Sequence, residues 1–332
     1  MAHNLANIAN KPAMMYAGET PWHGLGTPLS RPATAAEAIK AAHLDWEVGK
    51  VPLHLKIKSR YQKIPHRYGV VRLDETGNPV STVFGIVAEK YRPLQNRVAF
   101  QWFDSIVGQG AAIYHTAGAL GSGERIWILA KLPGEIRVVG NDLVEKFLLL
   151  SNSHDGLSSV QLKFTPIRVV CQNTLTIALS TGDGARVSHM PAMAGRLELA
   201  KEQLGIINVR FETIGTAFEA MAKVEMKEPR LQDYLAGVLR DPADKKDERA
   251  MQRVVELRAK AKELFEKGTG NGLPKVRGTL WAAYNGITEL IDYRKTSQLA
   301  DQRLESIWFG SGYHIKARAY ALAAEKAKLW CN

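Results

Sequence analysis

The sequence predicts an α+β fold, with an antiparallel sheet and packed helices in its N-terminal part and a mainly helical C-terminal region. Up to about residue 182, short segments with apolar residues at every second position alternate with turn residues, as in half-buried strands. From residue 194 onward, apolar residues recur every three or four positions, as on one face of a helix. We therefore predict two domains, a sheet-containing core over residues 1–193 and a helical region over residues 194–332.

The N-terminal elements follow from local signals. Residues 34–43 are predicted to form a short helix, because Thr34 can cap its start and Glu37 completes a capping box. Residues 51–58 alternate as a strand that faces Leu53, Leu55 and Ile57 inward and His54, Lys56 and Lys58 outward. A hairpin turn is predicted over residues 74–79, and residues 96–107 have helical spacing.

The central stretch, residues 143–182, is typical of a strand, a polar turn, a second strand and a helix. Residues 143–150 and 160–165 are the strands, and residues 151–156 form the turn between them. The helix is expected from Arg168 to Leu179, with Gln172 and Asn173 near its start. Backbone N–H groups at a helix start favour an anion, so these side chains are candidates for contacting phosphate.

The helical region contains two seams in which apolar residues alternate at spacings of three and four. The first runs from Leu197 to Met221 and the second from Ala250 to Leu264. Such a seam favours packing within the chain, and a surface for a partner is the alternative. A last helix is predicted over residues 313–329, with a basic exposed face formed by Lys316, Arg318, Lys326 and Lys328.

Composition limits the classes of function. A net charge of +11 and a pI near 9.5 favour a polyanionic partner, most often nucleic acid. Two cysteines, Cys171 and Cys331, cannot form a disulfide framework, which is typical of a reducing cytoplasm. The chain has no apolar run of about 20 residues and no apolar signal-peptide core at its start, so we expect a cytoplasmic protein without a membrane partner.

The positive charge is concentrated between residues 48 and 73, where seven basic residues occur and no acidic one. Lys and Arg neutralise phosphates, and Tyr offers a face on which unpaired bases stack. An edge strand that carries Lys to prevent aggregation is the alternative interpretation. The predicted nucleic-acid-binding residues are Lys56, Lys58, Arg60, Tyr61, Lys63, Arg67, Tyr68, Lys163, Arg168, Gln172 and Asn173.

An enzyme would have to use His154 and Asp155 in the polar turn, with Cys171 as nucleophile. Cys171 follows two valines, an apolar context that raises the pKa of a thiol and favours an inert role. Ligand spacings typical of metal sites are absent, and Gly121 and Gly123 are not followed by the Lys-Ser/Thr of a phosphate loop. We therefore predict no catalytic residues, no metal and no cofactor, and not an enzyme.

Four segments resemble the phage/plasmid-like protein family of uncharacterised function: Ser-His-Asp-Gly at 153–156, Arg-Val-Val-Cys-Gln-Asn-Thr-Leu at 168–175, Trp-His-Gly-Leu-Gly at 22–26 and Gly-Thr-Leu-Trp-Ala-Ala-Tyr-Asn at 278–285. The family resembles, more remotely, the Rad52-like single-strand annealing proteins of phages. That resemblance implies a curved antiparallel sheet, a basic groove for single-stranded DNA, ring-like oligomers and no need for ATP. The long helical C-terminal region departs from it.

The function predicted is binding of single-stranded DNA or RNA by a homo-oligomer, with ATP-independent strand annealing in phage or plasmid recombination. A structural or host-interaction phage protein without nucleic-acid activity is the first alternative, favoured by the seams. A hydrolase that uses His154, Asp155 and Cys171 is the second.

Overall fold

The computed structural model describes residues 4–18, 24–31, 33–107, 113–170, 173–174, 186–189, 207–294 and 303–330. Antiparallel sheets in the N-terminal part and helices in the C-terminal part confirm the predicted α+β class. The chain divides into two compact units. Unit 1 comprises residues 1–133, 148–163 and 184–205, and unit 2 comprises residues 134–147, 164–183 and 206–332. The chain passes from one unit to the other several times, which a single boundary after residue 193 does not describe.

The strands, in chain order, are β1 Asn7–Ile8, β2 Lys11–Pro12, β3 Met14–Ala17, β4 Thr27–Leu29, β5 Glu47–Ile57, β6 Arg60–Leu73, β7 Gly85–Ala88, β8 Ile113–Leu120, β9 Arg125–Val139, β10 Asp142–Ser153, β11 Val160–Phe164, β12 Ile167–Arg168, β13 Asn173–Thr174 and β14 Arg186–Val187. The helices are α1 Ala35–Ala41, α2 Asn96–Val107, α3 Ile207–Lys223, α4 Glu228–Val238, α5 Glu248–Lys267, α6 Leu280–Glu289, α7 Arg303–Trp308 and α8 Ser311–Trp330, with a π-helical turn at Leu290–Arg294 after α6. Among the described helices, none combines the length and apolar composition needed to cross a membrane.

Unit 1 contains a sheet in which β3 pairs with β4 and β8, and β8 pairs with β9. Helix α1 begins with the predicted capping box: the Glu37 backbone N–H donates to the Thr34 hydroxyl at 3.3 Å, and the Thr34 N–H donates to the Glu37 carboxylate at 3.0 Å. Opposite each other on β8 and β9 lie Gly118 and Trp127. A Cβ at Gly118 would overlap the indole ring, so only glycine lets Trp127 lie flat in the core.

A second, three-stranded sheet in unit 1 has the order β5-β6-β7. Val48, Val70 and Val87 form its buried core with Tyr91, and Trp46, Tyr68 and Phe84 pack around them. Beyond Pro52 the β5–β6 hairpin continues as two strands without a third, and every residue from His54 to Lys63 is exposed. We call residues 54–63 the arm.

The arm corrects one part of the sequence prediction. Leu55 and Ile57 were expected to face inward, but their exposed fractions are 56% and 47%. The alternation correctly separates two faces of a ribbon. However, no described element covers the aliphatic face, so its side chains are exposed although they alternate in the sequence like core residues.

The segment that starts at Arg168 is also different from the prediction. Arg168 ends strand β12, which pairs with β10, and the chain then turns so that β13 pairs back on β12. The predicted helix therefore does not start at Arg168, because Ile167 and Arg168 extend the sheet instead. Residues 175–179, the rest of the predicted helix, lie outside the described residues.

Unit 2 is organised around α6, in which all ten residues are buried. Thr279 caps this helix as predicted, with its hydroxyl accepting the Ala282 N–H at 3.2 Å. Gly286 lets α6 approach α5 closely, since a Cβ there would lie 3.0 Å from the backbone nitrogen of Phe265. Close packing of this kind requires small side chains at the contact.

Both apolar seams pack inside unit 2 as far as they are described. In α3 the buried seam residues are Phe211, Ile214, Phe218 and Met221, and in α5 they are Ala261 and Leu264. Leu197, Ala200 and Leu204 of the first seam lie outside the described residues. The buried parts of the seams thus supply core packing, whereas Ala250, Val254 and Leu257 at the start of the second seam are half-buried.

The basic exposed face predicted for α8 is wrong for three of its four residues, since Lys328 is exposed and the other three are not. Lys316 is fully buried, with its ammonium 2.7 Å from the Asp292 carboxylate in the π-helical turn. Arg318 donates to the Val238 carbonyl, and Lys326 pairs with Asp233. Ala319, Ala323 and Ala327 allow neighbouring segments to approach α8, so basic side chains beside them find partners within the unit.

The largest polar cluster in the core of unit 2 centres on Arg168. Its guanidinium and the Asp142 carboxylate are both 0% exposed, and they form a forked pair with N···O distances of 2.7 to 3.0 Å. The remaining N–H groups donate to the Asn271 amide oxygen at 3.1 Å and the Gly270 carbonyl at 3.0 Å. The Trp281 indole N–H donates to Asp142 at 2.7 Å. A buried charge is tolerated only with this degree of satisfaction.

We expect Asp142→Ala to lower the free energy of unfolding by about 3 to 5 kcal/mol, because it leaves the Arg168 charge buried without a counter-charge. The measurement is urea unfolding followed by circular dichroism. The matched control is Asp233→Ala, which removes a partly exposed ion pair and should cost at most about 1 kcal/mol. Equal losses in the two variants would contradict a special role for the buried pair.

Candidate nucleic-acid interface

The arm is a tight hairpin. Ile57 pairs with Arg60 across a two-residue turn formed by Lys58 and Ser59, and Lys58 adopts a positive φ of 56°. At the base of the arm the pairing shifts between Pro52 and His54, and β6 accommodates extra residues around Pro65, which has no N–H to donate. The irregularity lies where the ribbon leaves the three-stranded sheet.

Cross-strand pairs divide the arm into two faces of different chemistry, since residues directly opposite each other share a face. His54 pairs with Lys63 and Lys56 with Tyr61, and these four residues form the cationic face. The Lys56 ammonium lies 5.9 Å from the centre of the Tyr61 ring. Leu55 and Ile57 lie on the opposite face, paired with Gln62 and Arg60.

Tyr61 is 69% exposed, so its ring is available for stacking. Lys56, Lys58, Arg60 and Lys63 are exposed as well. Six of the predicted residues, the five just named and the exposed Arg67, therefore occupy one projecting hairpin or its base. Tyr68 differs, because it is half-buried against the sheet core with the Lys50 ammonium 4.9 Å from its ring centre.

Glu89 is an acidic group near the base of the arm. Its carboxylate lies 2.7 Å from the His66 ring nitrogen Nδ1, and this hydrogen bond is the main reason that the pKa of Glu89 is lowered. Lys50 is held there too, donating to the carbonyls of Glu89 and Tyr91 at 2.7 and 2.9 Å. His66 and Lys50 thus stabilise the base, whereas the cations of the arm point into solvent.

The second predicted group, around residue 168, does not form an anion site. Arg168 is fully buried and its N–H groups are taken by Asp142, Asn271 and Gly270, so none is exposed to a phosphate. Lys163 is half-buried on β11. Gln172 and the side chain of Asn173 lie outside the described residues. We therefore restrict the candidate interface to the exposed basic side chains and Tyr61 of the arm, together with Arg67.

His154 and Asp155 do not form an acid–base pair. His154 is fully buried beside Trp46 and Phe84, and its Nε2 lies 3.0 Å from the Asn96 amide oxygen. That oxygen can only accept, because the Asn96 amide nitrogen donates to the Leu44 carbonyl, so we assign the proton to Nε2.

Asp155 caps its own turn, accepting from the Ser153 hydroxyl and from the Leu157 N–H at 2.7 Å. The turn packs against β7: a Cβ at Gly85 would overlap the Asp155 backbone, and one at Gly156 would approach Val87 to 2.7 Å. Cys171 lies outside the described residues, and within them no group of three His, Cys, Asp or Glu side chains could hold a metal. The Ser-His-Asp-Gly segment therefore has a packing role.

The side chain of Glu124 fills the turn at Gly121 and Gly123. The Glu124 carboxylate accepts the Ser122 N–H at 2.6 Å, and a Cβ at Gly121 would overlap this carboxylate. A carboxylate in that position repels phosphate, which agrees with the absence of a phosphate-loop pattern.

Sequence reasoning placed His54 on the outward face with Lys56 but did not include it among the binding residues. It also missed that the aliphatic face is open to solvent. The pairing of residues 54–57 with 60–63 follows from the two-residue turn at Lys58 and Ser59.

A comparison with protein-family models matches residues 83–308 to a model described as Domain of unknown function (DUF932). No curated protein and no solved structure matches. The matched residues include the central strands and most of the helical region, and they begin after the arm.

The buried His154 predicts a loss of stability in acid. Burial, with a smaller contribution from the charge of His189, lowers the pKa of His154 to about 3 from an ordinary value of 6.5. As the pH falls below about 6.5, His154 becomes protonated in the unfolded chain but stays neutral in the folded chain. Proton binding by His154 therefore does not affect the free energy of unfolding above about pH 6.5, and it lowers this free energy progressively as the pH falls toward 3.

We expect His154→Gln to flatten the dependence of unfolding free energy on pH in this window, measured by urea unfolding at a series of pH values. His314→Gln, which removes an imidazole at an exposed position, is the matched control. If the slope were the same in the wild type and in His154→Gln, protonation of His154 would not be a cause of the pH dependence.

Proposed function

The chain belongs to the DUF932 family, whose description assigns no function, and on that premise we propose that it is a single-stranded nucleic-acid-binding protein that uses its arm. The observation that supports this most is the cationic face, where His54, Lys56, Tyr61 and Lys63 share one exposed surface. The arm precedes residue 83, so the proposal rests on the arm's own residues and not on the matched domain.

Electrostatics favour a phosphate backbone as the ligand. The segment from residue 48 to 73 contains no carboxylate, and the whole chain has a net charge of +11. Exposed Lys and Arg attract phosphates and release condensed counterions, which supplies affinity without sequence specificity. Edge protection against aggregation requires only a few Lys, and it does not account for Arg60 and Tyr61 on the same ribbon.

Tyr61 favours a single strand over a duplex. Its exposed ring lies beside the Lys56 ammonium, so one base can stack on the ring while the adjoining phosphate meets the lysine. Bases inside a duplex do not offer a free face for such stacking. A two-stranded ribbon can also enter a major groove, and duplex binding is therefore the competing candidate.

Strand annealing without ATP, in phage or plasmid recombination, is the finer part of the proposal. It is supported by the resemblance to Rad52-like annealing proteins, which implies that no ATP is needed. An annealing protein must hold strands with their bases accessible, and an arm that binds backbone phosphates satisfies that condition. We propose that several protomers act together as a homo-oligomer.

Replacing Lys56 and Lys63 by Glu should weaken binding to a single-stranded oligonucleotide by at least tenfold, because it reverses the charge of the cationic face. If about five phosphates are neutralised, the wild-type log–log salt slope should be about −3 to −4, and the variant's should be smaller. Fluorescence anisotropy at several salt concentrations measures both quantities.

The matched control is Lys245→Glu with Lys246→Glu, which changes the net charge equally at exposed positions of another loop. Equal weakening by both double variants would mean that net charge alone attracts the oligonucleotide. Tighter binding to duplex than to single strands would mean that the arm is a duplex-binding element instead.

The protein should accelerate pairing of complementary oligonucleotides without ATP, as followed by fluorescence quenching, with light scattering showing an oligomer. Tyr61→Ala should slow annealing by severalfold, because one base–aromatic stack is worth about 1 to 3 kcal/mol. A monomer that binds single strands yet slows their pairing at every concentration would exclude annealing and leave binding alone.

A further inference from the structure

On the face of the arm opposite the cationic face, β5 contributes aliphatic side chains and β6 contributes Arg60 and Gln62, and nucleic-acid binding does not explain the aliphatic ones. Leu55 and Ile57 are 56% and 47% exposed. Exposed aliphatic side chains that occur singly need no explanation, but a contiguous group marks an interaction surface.

The aliphatic face continues from the arm onto the three-stranded sheet. Leu53 and Val83 both approach Gly69, since a Cβ there would lie 3.1 to 3.2 Å from each side chain. Ile86 is opposite Gly69 on β7 and is 65% exposed, and Val83 is 45% exposed. We call Leu53, Leu55, Ile57, Val83 and Ile86 the aliphatic stripe.

The stripe borders a free strand edge. In the described part of the chain β5 pairs only with β6, so the N–H and C=O groups on its other side have no strand partner. The Gln95 side chain bonds both backbone groups of Val48, so the open part of this edge begins beyond Val48. Pro52, which lacks an N–H, is a residue that strands carry at edges. A strand added at this edge would place alternate side chains on the two faces of the sheet.

The chemistry of the two faces beside β5 determines which sequence an added strand should have. Side chains of an added strand that fall on the cationic face would meet His54 and Lys56, and those that fall on the other face would meet Leu53, Leu55 and Ile57. Acidic residues alternating with aliphatic ones complement both faces at once.

A second copy of this chain fits poorly at the same edge. Pairing β5 with β5 would bring His54 and Lys56 against the same residues of the other copy, and like charges opposite each other destabilise a strand pair. In a stable complex of two proteins each partner contributes about 20 to 30 residues and buries roughly 800 Å², whereas the stripe consists of five residues. A peptide strand depends less on area, because main-chain hydrogen bonds supply much of its affinity.

We propose that the free edge of β5 is a docking site for an extended protein segment in which acidic and aliphatic residues alternate. The segment adds a strand beside β5, with its aliphatic side chains on the aliphatic stripe and its carboxylates on the cationic face. This proposal is independent of nucleic-acid binding, although both ligands contact Lys56.

The experiment uses the full chain and a synthetic peptide of alternating Glu and Val, long enough to span residues 53–57. The comparison peptide has the same composition with all Glu residues in one block. The alternating peptide should bind at least tenfold more tightly than the block peptide, because only alternation places each residue type on its own face. Hydrogen exchange should show new protection on β5.

Leu55→Thr with Ile57→Thr keeps strand-forming residues at exposed positions and removes aliphatic surface, so it should weaken peptide binding about tenfold and leave oligonucleotide binding unchanged. Val255→Thr is the matched control, because Val255 is also 56% exposed but lies on α5. Lys56→Glu should weaken both ligands, whereas Leu55→Thr with Ile57→Thr should weaken the peptide alone, and this difference separates failure of the docking site from failure of the nucleic-acid site.

Equal affinity for the two peptides would overturn the proposal, since it would mean that charge alone attracts them. Unchanged peptide binding in Leu55→Thr/Ile57→Thr, or protection that appears away from β5, would overturn it as well. Concentration-dependent self-association lost in the same double variant, without peptide binding, would assign the stripe to a second copy instead. Binding to anionic vesicles but to neither peptide would assign it to a lipid surface.

Discussion

The buried pair of Arg168 and Asp142 is the constraint on which unit 2 depends. Two opposite charges with no solvent exposure persist only because every remaining donor of the guanidinium is satisfied by the 269–271 loop and Asp142 also accepts from Trp281. Strand β12, the loop before α6 and the start of α6 must therefore hold their positions together. Any change that displaces one of them leaves a charge in the core without compensation. The all-buried helix α6 takes part in this arrangement, because its Trp281 N–H donates to Asp142 and its Glu289 carboxylate accepts the Thr269 N–H.

The residues that make the sequence recognisable have structural roles. Arg168 and Trp281, from two of the segments that resemble the phage/plasmid-like family, meet at Asp142. His154, from a third, is buried beside Asn96 in unit 1. Motif residues that pack inside the protein identify a family without indicating its chemistry. The exposed surface with the most distinctive chemistry, the arm, instead precedes the residues matched to DUF932.

The arm is unusual because neither of its faces is buried. A two-stranded ribbon has little stability in water by itself, and this one is continuous with a sheet whose core is Val48, Val70 and Val87. The sheet supplies the stability, so the exposed residues of the arm are free to serve contacts with other molecules. One face offers cations and an aromatic ring, and the other offers aliphatic side chains beside a free edge. The nucleic-acid proposal uses the cationic face, and the docking proposal uses the aliphatic stripe together with His54 and Lys56 beside the edge of β5.

The sequence by itself determined the features that depend on local interactions. These are the α+β class, the capping box at Thr34 and Glu37, the cap at Thr279, the alternation of residues 51–58 and the concentration of positive charge around them. Only the tertiary structure decided which faces are buried. Leu55 and Ile57 alternate like core residues but are exposed, whereas Lys316 belongs to a charged pattern but is buried against Asp292. The physical reason is that periodicity is set by neighbouring residues, while burial and ion pairing depend on segments distant in the chain. Arg168 finds Asp142 at a separation of 26 residues and Asn271 at 103.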